Sequence, residues 1–124
     1  MTIRQAIDRL DALMFNTFSR ADKVMWLSRL DTEVKKTIID THAGAEMVSF
    51  SGYTDKTPED TELLIPEPYD DVYLKYMEAQ IHYYNGENGK FNTAMLMYNA
   101  AYSDFESYYN RTHMPLSRGN RFVF

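Results

Sequence analysis

Apolar and polar residues alternate with a helical period at the start of the chain. The apolar positions, three or four residues apart, are Ile3, Ile7, Leu10 and Met14. This spacing places them on one side of an amphipathic helix. Thr2 stands just before the first of them and Gln5 three residues later, which is the pattern of a capping box. The sequence therefore predicts a helix that begins after Thr2.

A second, longer stretch has the same period. Its apolar stripe consists of Val24, Leu27, Leu30, Val34 and Ile38. Ser19 is the expected N-cap, and Asp22 falls in the first turn, where a carboxylate favours the helix dipole. Gly44 is the expected terminator. Trp26 lies off the stripe, so it is either a residue at the boundary of the core or an anchor at a second surface.

The helical period is lost over residues 45–67. Residues 47–53 and 63–65 could be extended, and the stretch "TDKTPED" between them is rich in turn-forming residues. A connection of this length in a compact domain is usually functional or forms a small hairpin of its own. Pro66 and Pro68 end the segment.

Two further helices are predicted in the second half of the chain. Pro68 suits the first turn of the third helix, and Asn85-Gly86 stops it. Its shared face consists of Tyr73, Tyr76 or Met77, Gln80 and Tyr84. The fourth helix is predicted from about Gly89 to Thr112. Two rows spaced by seven run along it, namely Phe91, Tyr98 and Phe105, and Met95, Tyr102 and Tyr109. These rows predict an antiparallel hairpin with the third helix.

The expected fold class is therefore all-α. It has about four main helices, including a long C-terminal antiparallel hairpin, one long partly extended loop and a C-terminal arm. A chain of 124 residues is expected to form one domain. We place the helical domain at residues 1–113 and the arm at residues 114–124. Ten of the eighteen aromatic residues are tyrosine, a residue that suits interfaces with one wet edge.

The charge is unevenly distributed along the chain. Net charge is −5, and residues 111–124 carry three arginines and no acid, which leaves −8 on the rest. An acidic body argues against a surface that grips phosphates. Lys35 and Lys36 are flanked by Asp31, Glu33 and Asp40, so we interpret them as a mixed, solvated helix face. The basic end is either an arm that docks on an acidic partner or a frayed, solvated terminus.

The sequence offers no recognisable reacting group. It contains no cysteine, which excludes disulfides and thiol chemistry. His42, His82 and His113 are far apart, and Glu78 with His82 is the nearest approach to a metal-binding pair. A surface or buried-edge role for His82 is the better interpretation. No phosphate-binding loop occurs. We expect no enzyme activity, no cofactor and no metal. The N-terminus lacks the apolar core of a signal peptide, so the protein is expected to be made and used inside a cell.

Residues 62–115 resemble a known family. The features are "LLIPEPYDD" before the third helix, the stop "YYNGE", the helix "FNTAMLMYNAAYSDFESYYN" and the exit "RTHMP". The earlier stretch "MWLSRLDTEVKKTIIDTH" also fits. Together they resemble the small helical head–tail connector proteins of tailed phages and prophages of Gram-positive hosts, also called adaptor or head-completion proteins. The chain departs from the family at "NGENGKF", where a second glycine loosens the hairpin link.

The resemblance implies a structural function without catalysis. Such proteins are mostly α-helical and form a ring, typically twelvefold, on the portal protein. The ring extends the DNA channel, lets DNA pass without specific binding, and receives the next neck or tail-completion protein. The expected location is the virion neck at the head–tail junction, after synthesis in the bacterial cytoplasm, with no membrane contact.

The resemblance also suggests which residues make contacts. The expected portal-docking residues in the arm are Met114, Leu116, Arg118, Arg121, Phe122 and Phe124. The expected contacts between subunits are Trp26, Tyr73, Tyr83, Tyr98 and Tyr108. Two other functions stay open at this stage: another neck component such as a tail-completion or stopper protein, and a non-viral helical binding module of a regulatory or antitoxin-like kind.

Overall fold

The computed structural model describes residues 1–116. Within that range the chain forms four α-helices, α1 (Ile3–Leu13), α2 (Arg20–Thr37), α3 (Asp71–Tyr84) and α4 (Asn88–Thr112). Two short 3-10 helices, Ile39–Thr41 and Ala45–Met47, follow α2. The predicted all-α class and the C-terminal helical hairpin are therefore confirmed.

The first two helices begin at their predicted caps. Thr2 Oγ1 accepts a hydrogen bond from the Gln5 N–H at 3.1 Å, and Gln5 Oε1 accepts one from the Thr2 N–H at 2.9 Å. Ser19 Oγ accepts from the Asp22 N–H at 3.1 Å. These bonds satisfy N–H groups that the first turn of a helix leaves without partners. The capping box and the second cap are thus confirmed.

The core lies where α1, α2 and α3 meet. α3 contacts α1, α2 and α4, whereas α4 approaches no helix except α3 through its backbone. The predicted apolar stripes of α1 and α2 face this centre, and nearly all their side chains are buried. Leu63 and Ile65 from the long loop and Phe105 from α4 complete the core.

Two predicted helix boundaries were wrong. The α2 helix ends at Thr37 and tightens into the 3-10 turn before it reaches Gly44. Gly44 does adopt a left-handed conformation, with φ of 91°, at the start of the second 3-10 helix. α3 begins at Asp71 and not at Pro68, because the Tyr69 N–H donates to the Pro66 carbonyl and closes a turn first.

The long loop, residues 48–70, is irregular but firmly attached. No strand forms among residues 1–116, so the expected small hairpin is absent there; Thr2 and Glu62 pair only as a single antiparallel bridge. The Ile3 and Arg4 N–H groups donate to the carbonyls of Thr61 and Glu59, at 3.1 and 2.9 Å. These N–H groups belong to the first turn of α1 and lack partners within the helix. The loop therefore also helps to cap α1.

The hairpin of α3 and α4 extends beyond the core. Only Phe105 and Tyr109 are buried on α4, and both lie in its second half. Met95, Tyr98 and Tyr102 from the predicted rows are half-buried. The Tyr98 ring packs on Tyr76 of α3, and the Tyr102 hydroxyl lies 3.1 Å from Thr37 Oγ1 at the end of α2. The first half of α4 is consequently supported by α3 alone, with much of its surface open to solvent.

Candidate interaction surfaces

His42 and His113 both pack on the ring of Tyr109, whereas His82 lies apart from them. His42 is buried, and its Nδ1 donates to the Ile38 carbonyl at 2.6 Å, while Nε2 lies 2.7 Å from the side-chain amide of Asn110. His82 pairs with Glu87 at 2.8 Å rather than with Glu78. His113 stacks on Tyr109. In the part of the chain that the structure describes, no three His, Asp or Glu side chains are placed to hold a metal ion.

The helices carry no membrane signature over residues 1–116. None of them combines the length and the apolar character that a bilayer-spanning helix requires.

The most unusual polar group is Asp31, at the centre of α2. Its side chain is fully buried. Oδ1 accepts a hydrogen bond from the Tyr73 hydroxyl at 2.6 Å, and Oδ2 accepts from the Tyr53 hydroxyl at 2.5 Å and the Leu64 N–H at 3.0 Å. The Tyr73 hydroxyl in turn accepts from the Ile65 N–H at 2.7 Å. One carboxylate therefore connects α2, α3 and both ends of the long loop.

The ionisation of this cluster is governed by burial. Removal from water raises the pKa of Asp31 above its ordinary value, although the hydrogen bonds from Tyr53, Tyr73 and Leu64 act in the opposite direction. Burial and the neighbouring carboxylate also raise the pKa of both tyrosines, so they stay neutral and donate.

Asp31 corrects an interpretation made from the sequence. The sequence predicts a solvated face for Asp31 beside Lys35, but its side chain points into the core. The sequence did carry a signal, because Leu27, Asp31, Val34 and Ile38 share helical spacing. No buried side-chain N or O atom among the described residues lacks a partner. The cluster is therefore a fully satisfied structural anchor for the loop.

Two of the five residues that were predicted to contact a neighbouring subunit are buried inside their own chain. Trp26 is 1% exposed and Tyr73 is 0% exposed. The Trp26 ring packs against Phe18 and Tyr84, and the Tyr73 hydroxyl binds Asp31. Their large aromatic surface serves the chain's own core, so neither side chain is available to a second subunit.

The other three predicted contact residues lie along the hairpin. Tyr83 is 59% exposed and packs its ring edge on Tyr84 and Phe91. Tyr98 and Tyr108 are half-buried against Tyr76 and Tyr69 respectively. Only Tyr83 therefore offers most of its side chain to solvent, and a role in subunit contacts stays a prediction for all three.

The start of the arm is paired with the body of the protein. The Ala43 N–H donates to the Met114 carbonyl at 2.7 Å, and the Leu116 N–H donates to the Thr41 carbonyl at 3.0 Å. Between them, His42 and Pro115 form a single antiparallel bridge. The Met114 and Leu116 side chains are exposed. The other predicted docking residues, Arg118, Arg121, Phe122 and Phe124, lie outside the described residues.

Sequence reasoning missed two exposed apolar patches. The first is on the α1–α2 connection, where Leu13 is 67% and Phe15 is 91% exposed. The second is on the first half of α4, where Leu96 is 70% and Met97 is 50% exposed. Each falls in a stretch without charge, residues 12–19 and 91–103. The sequence alone could not have identified them, because an uncharged run with apolar residues is more typical of buried positions.

The chain was also compared with known proteins. No protein-family model, curated protein or solved structure matched it.

Proposed function

We propose that this chain is a structural subunit of the neck of a tailed phage. In this proposal, copies of the chain form a ring on the portal protein, extend the channel through which DNA passes, and receive the next neck component. The chain acts through its contact surfaces and carries out no reaction.

The main observation behind the proposal is that the resembling segments within residues 62–115 form one continuous structural unit. The segments on which the resemblance rests correspond to consecutive parts of one unit: the turn before α3, the hairpin of α3 and α4, and the exit segment that pairs with residues 41–43. The all-α fold is also the one that the resemblance implies. Thr41 and His42 are the last two residues of the stretch "MWLSRLDTEVKKTIIDTH", which fitted the same family.

Charge and the position of the exit segment add support. The net charge of −5 suits a channel through which DNA slides, because like charges repel the phosphates. The exit segment leaves the body beside His42 with the Met114 and Leu116 side chains exposed. We infer that these two residues and the basic stretch after them contact the portal.

A binding experiment with the portal tests this proposal. A portal protein encoded in the genome that carries this gene would be immobilised and mixed with the full chain or with a deletion of residues 117–124. That deletion keeps the backbone bonds of Met114 and Leu116, so the helical fold is retained and can be checked by circular dichroism. We expect the full chain to bind and form rings visible by electron microscopy, and the deletion variant to lose binding.

Two results would contradict the proposal. Equal portal binding by the deletion variant would remove the docking role of the arm. Absence of portal binding by the full chain, together with normal tailed particles from a strain that lacks the gene, would refute the neck function and favour a non-viral binding module.

A further inference from the structure

The link between α3 and α4 contains two Asn-Gly pairs, Asn85-Gly86 and Asn88-Gly89. All four residues are exposed to solvent. In such a pair the backbone nitrogen of glycine can attack the side-chain carbonyl carbon of asparagine, because glycine has no Cβ to hinder the close approach. The two pairs are chemically alike, so the backbone structure around each of them decides which one reacts.

The fold holds Gly86 in the turn that ends α3. Gly86 adopts a left-handed conformation, with φ of 73°. Its N–H donates to the Tyr83 carbonyl at 3.1 Å, and the N–H of Glu87 donates to the His82 carbonyl at 3.0 Å. These two bonds form a Schellman motif. The Gly86 nitrogen must leave this motif before it can reach the Asn85 side chain, so the first pair is protected.

Gly89 lies in the first turn of α4, which begins at Asn88. N–H groups in the first turn of a helix have no carbonyl one turn earlier to bond. The first N–H of α4 that finds such a partner is that of Phe91, which donates to the Glu87 carbonyl at 2.8 Å. No group within residues 1–116 accepts a hydrogen bond from the Gly89 N–H. Its nitrogen can therefore attack the Asn88 side chain without giving up a hydrogen bond of its own.

We propose that Asn88 is a site of spontaneous deamidation in the folded chain. The Gly89 nitrogen loses its proton and bonds to Asn88 Cγ, the bond from Cγ to Nδ2 breaks, and Nδ2 leaves as ammonia together with that proton. Water then opens the resulting succinimide ring. Breaking the new bond from Cγ to nitrogen gives aspartate, and breaking the original backbone bond gives isoaspartate. Water is the only co-reactant.

The modification changes both charge and backbone at the start of α4. One amide becomes one carboxylate, so the net charge of −5 becomes more negative by one. In the aspartate product this carboxylate lies in the first turn, where it favours the helix dipole. In the isoaspartate product the backbone runs through the former side chain and is one methylene longer, which displaces that turn. The inference goes beyond the proposed function and does not depend on it.

Peptide mapping by mass spectrometry tests the proposal on the full chain. The protein would be kept in mildly alkaline water enriched in heavy oxygen, either folded or in concentrated guanidinium chloride, and then digested in ordinary water. Heavy oxygen from the hydrolysis step marks only the product that formed during the incubation. Tandem fragmentation separates the two asparagines, which share one tryptic peptide, residues 76–90.

The two pairs serve as controls for each other. In the folded chain we expect Asn88 to convert at least about fivefold faster than Asn85, the factor that corresponds to one backbone hydrogen bond of ordinary strength. In guanidinium chloride the Schellman motif is lost, so the two asparagines should convert at similar rates.

Gly89→Ala is the matched variant. A Cβ at this position meets no atom within 4 Å, and alanine is more favourable than glycine in a helix, so the stability of the fold should not fall. The added methyl group hinders attack by its own nitrogen. Conversion of Asn88 should therefore be largely lost, while conversion of Asn85 should stay unchanged.

Three results would overturn the inference. The first is an Asn88 that stays intact in the folded chain although it converts in guanidinium chloride. The second is an Asn85 that converts as fast as Asn88 or faster in the folded chain. The third is a rate of Asn88 conversion that Gly89→Ala leaves unchanged.

Discussion

Replacing Asp31 with alanine is expected to be among the most damaging single changes in this chain. The substitution leaves three buried donors without an acceptor: the hydroxyls of Tyr53 and Tyr73 and the N–H of Leu64. Each such group costs about 1–3 kcal/mol when unsatisfied. Water entering the vacated space and removal of the buried charge offset part of that cost. We expect the free energy of unfolding to fall by about 3–5 kcal/mol.

Urea titration followed by circular dichroism measures this loss. For a domain with a typical slope, the midpoint should shift to lower urea by about 1.5–3 M. Glu33→Ala is the matched control, because Glu33 is an exposed acid two residues further along α2. Its effect should stay within about 0.5 kcal/mol.

A small effect would refute the reasoning. If Asp31→Ala unfolds within about 1 kcal/mol of the wild type, the carboxylate does not hold the loop to the helices. A normal midpoint for Asp31→Ala with a destabilised Glu33→Ala protein would mean that α2 presents a different face to the core.

The remaining predictions concern acidity, the hairpin and a helix cap. Because the pKa of Asp31 is raised in the folded state, the folded chain protonates this carboxyl group at a higher pH than the unfolded chain does. The contribution of Asp31 to the free energy of unfolding is therefore most favourable below its ordinary pKa of 3.8, and it declines as pH rises through the raised pKa. The stability of the wild type relative to Asp31→Asn, measured by urea titration at several pH values, should therefore fall from about pH 4 to neutrality; a rise would contradict this sign. Phe105→Ala should cost about 3–5 kcal/mol, and Leu96→Ala on the same helix less than about 0.5 kcal/mol, because Phe105 is 1% and Leu96 70% exposed; equal urea midpoints would show that α4 does not pack as described. Ser19→Ala should lower thermal stability by about 1 kcal/mol through loss of the bond to the Asp22 N–H, and an unchanged melting temperature would mean that the cap is not formed in solution.

Local signals in the sequence were sufficient for the starts of the first two helices. Thr2 with Gln5 and Ser19 with Asp22 satisfy N–H groups only three residues away, so their effect depends little on the rest of the fold. The start of α3 was misplaced because Pro68 is compatible with a first helical turn but also with the turn that precedes it. Only the bond between Tyr69 and Pro66 distinguishes the two.

Features that depend on contacts between distant residues could not be read in the same way. Asp31 looks like any polar residue on a helix until Tyr53, Tyr73 and Leu64 surround it, and these partners lie 22 to 42 positions away. Trp26 lay off the apolar stripe, yet it is buried because Phe18 and Tyr84 cover it. Aromatic character alone therefore did not separate core residues from contact residues.

The two exposed apolar patches were also not identified from the sequence. Phe15 and Leu96 were not selected because an apolar residue at one position carries no information about its exposure. The uncharged stretches around them favoured burial instead, since surface helices of a soluble protein usually include charged residues every few positions. The predicted contact set was consequently weighted toward tyrosine and omitted the α1–α2 connection.

The central claim is that copies of this chain stand between the portal and the tail. Electron cryomicroscopy of tailed particles from a strain that carries this gene tests it most directly. We predict a ring at the head–tail junction into which the four helices fit, with the exit segment after His113 directed toward the portal. Intact particles whose neck density is fully accounted for by other proteins, with this chain undetected in them by mass spectrometry, would contradict the account.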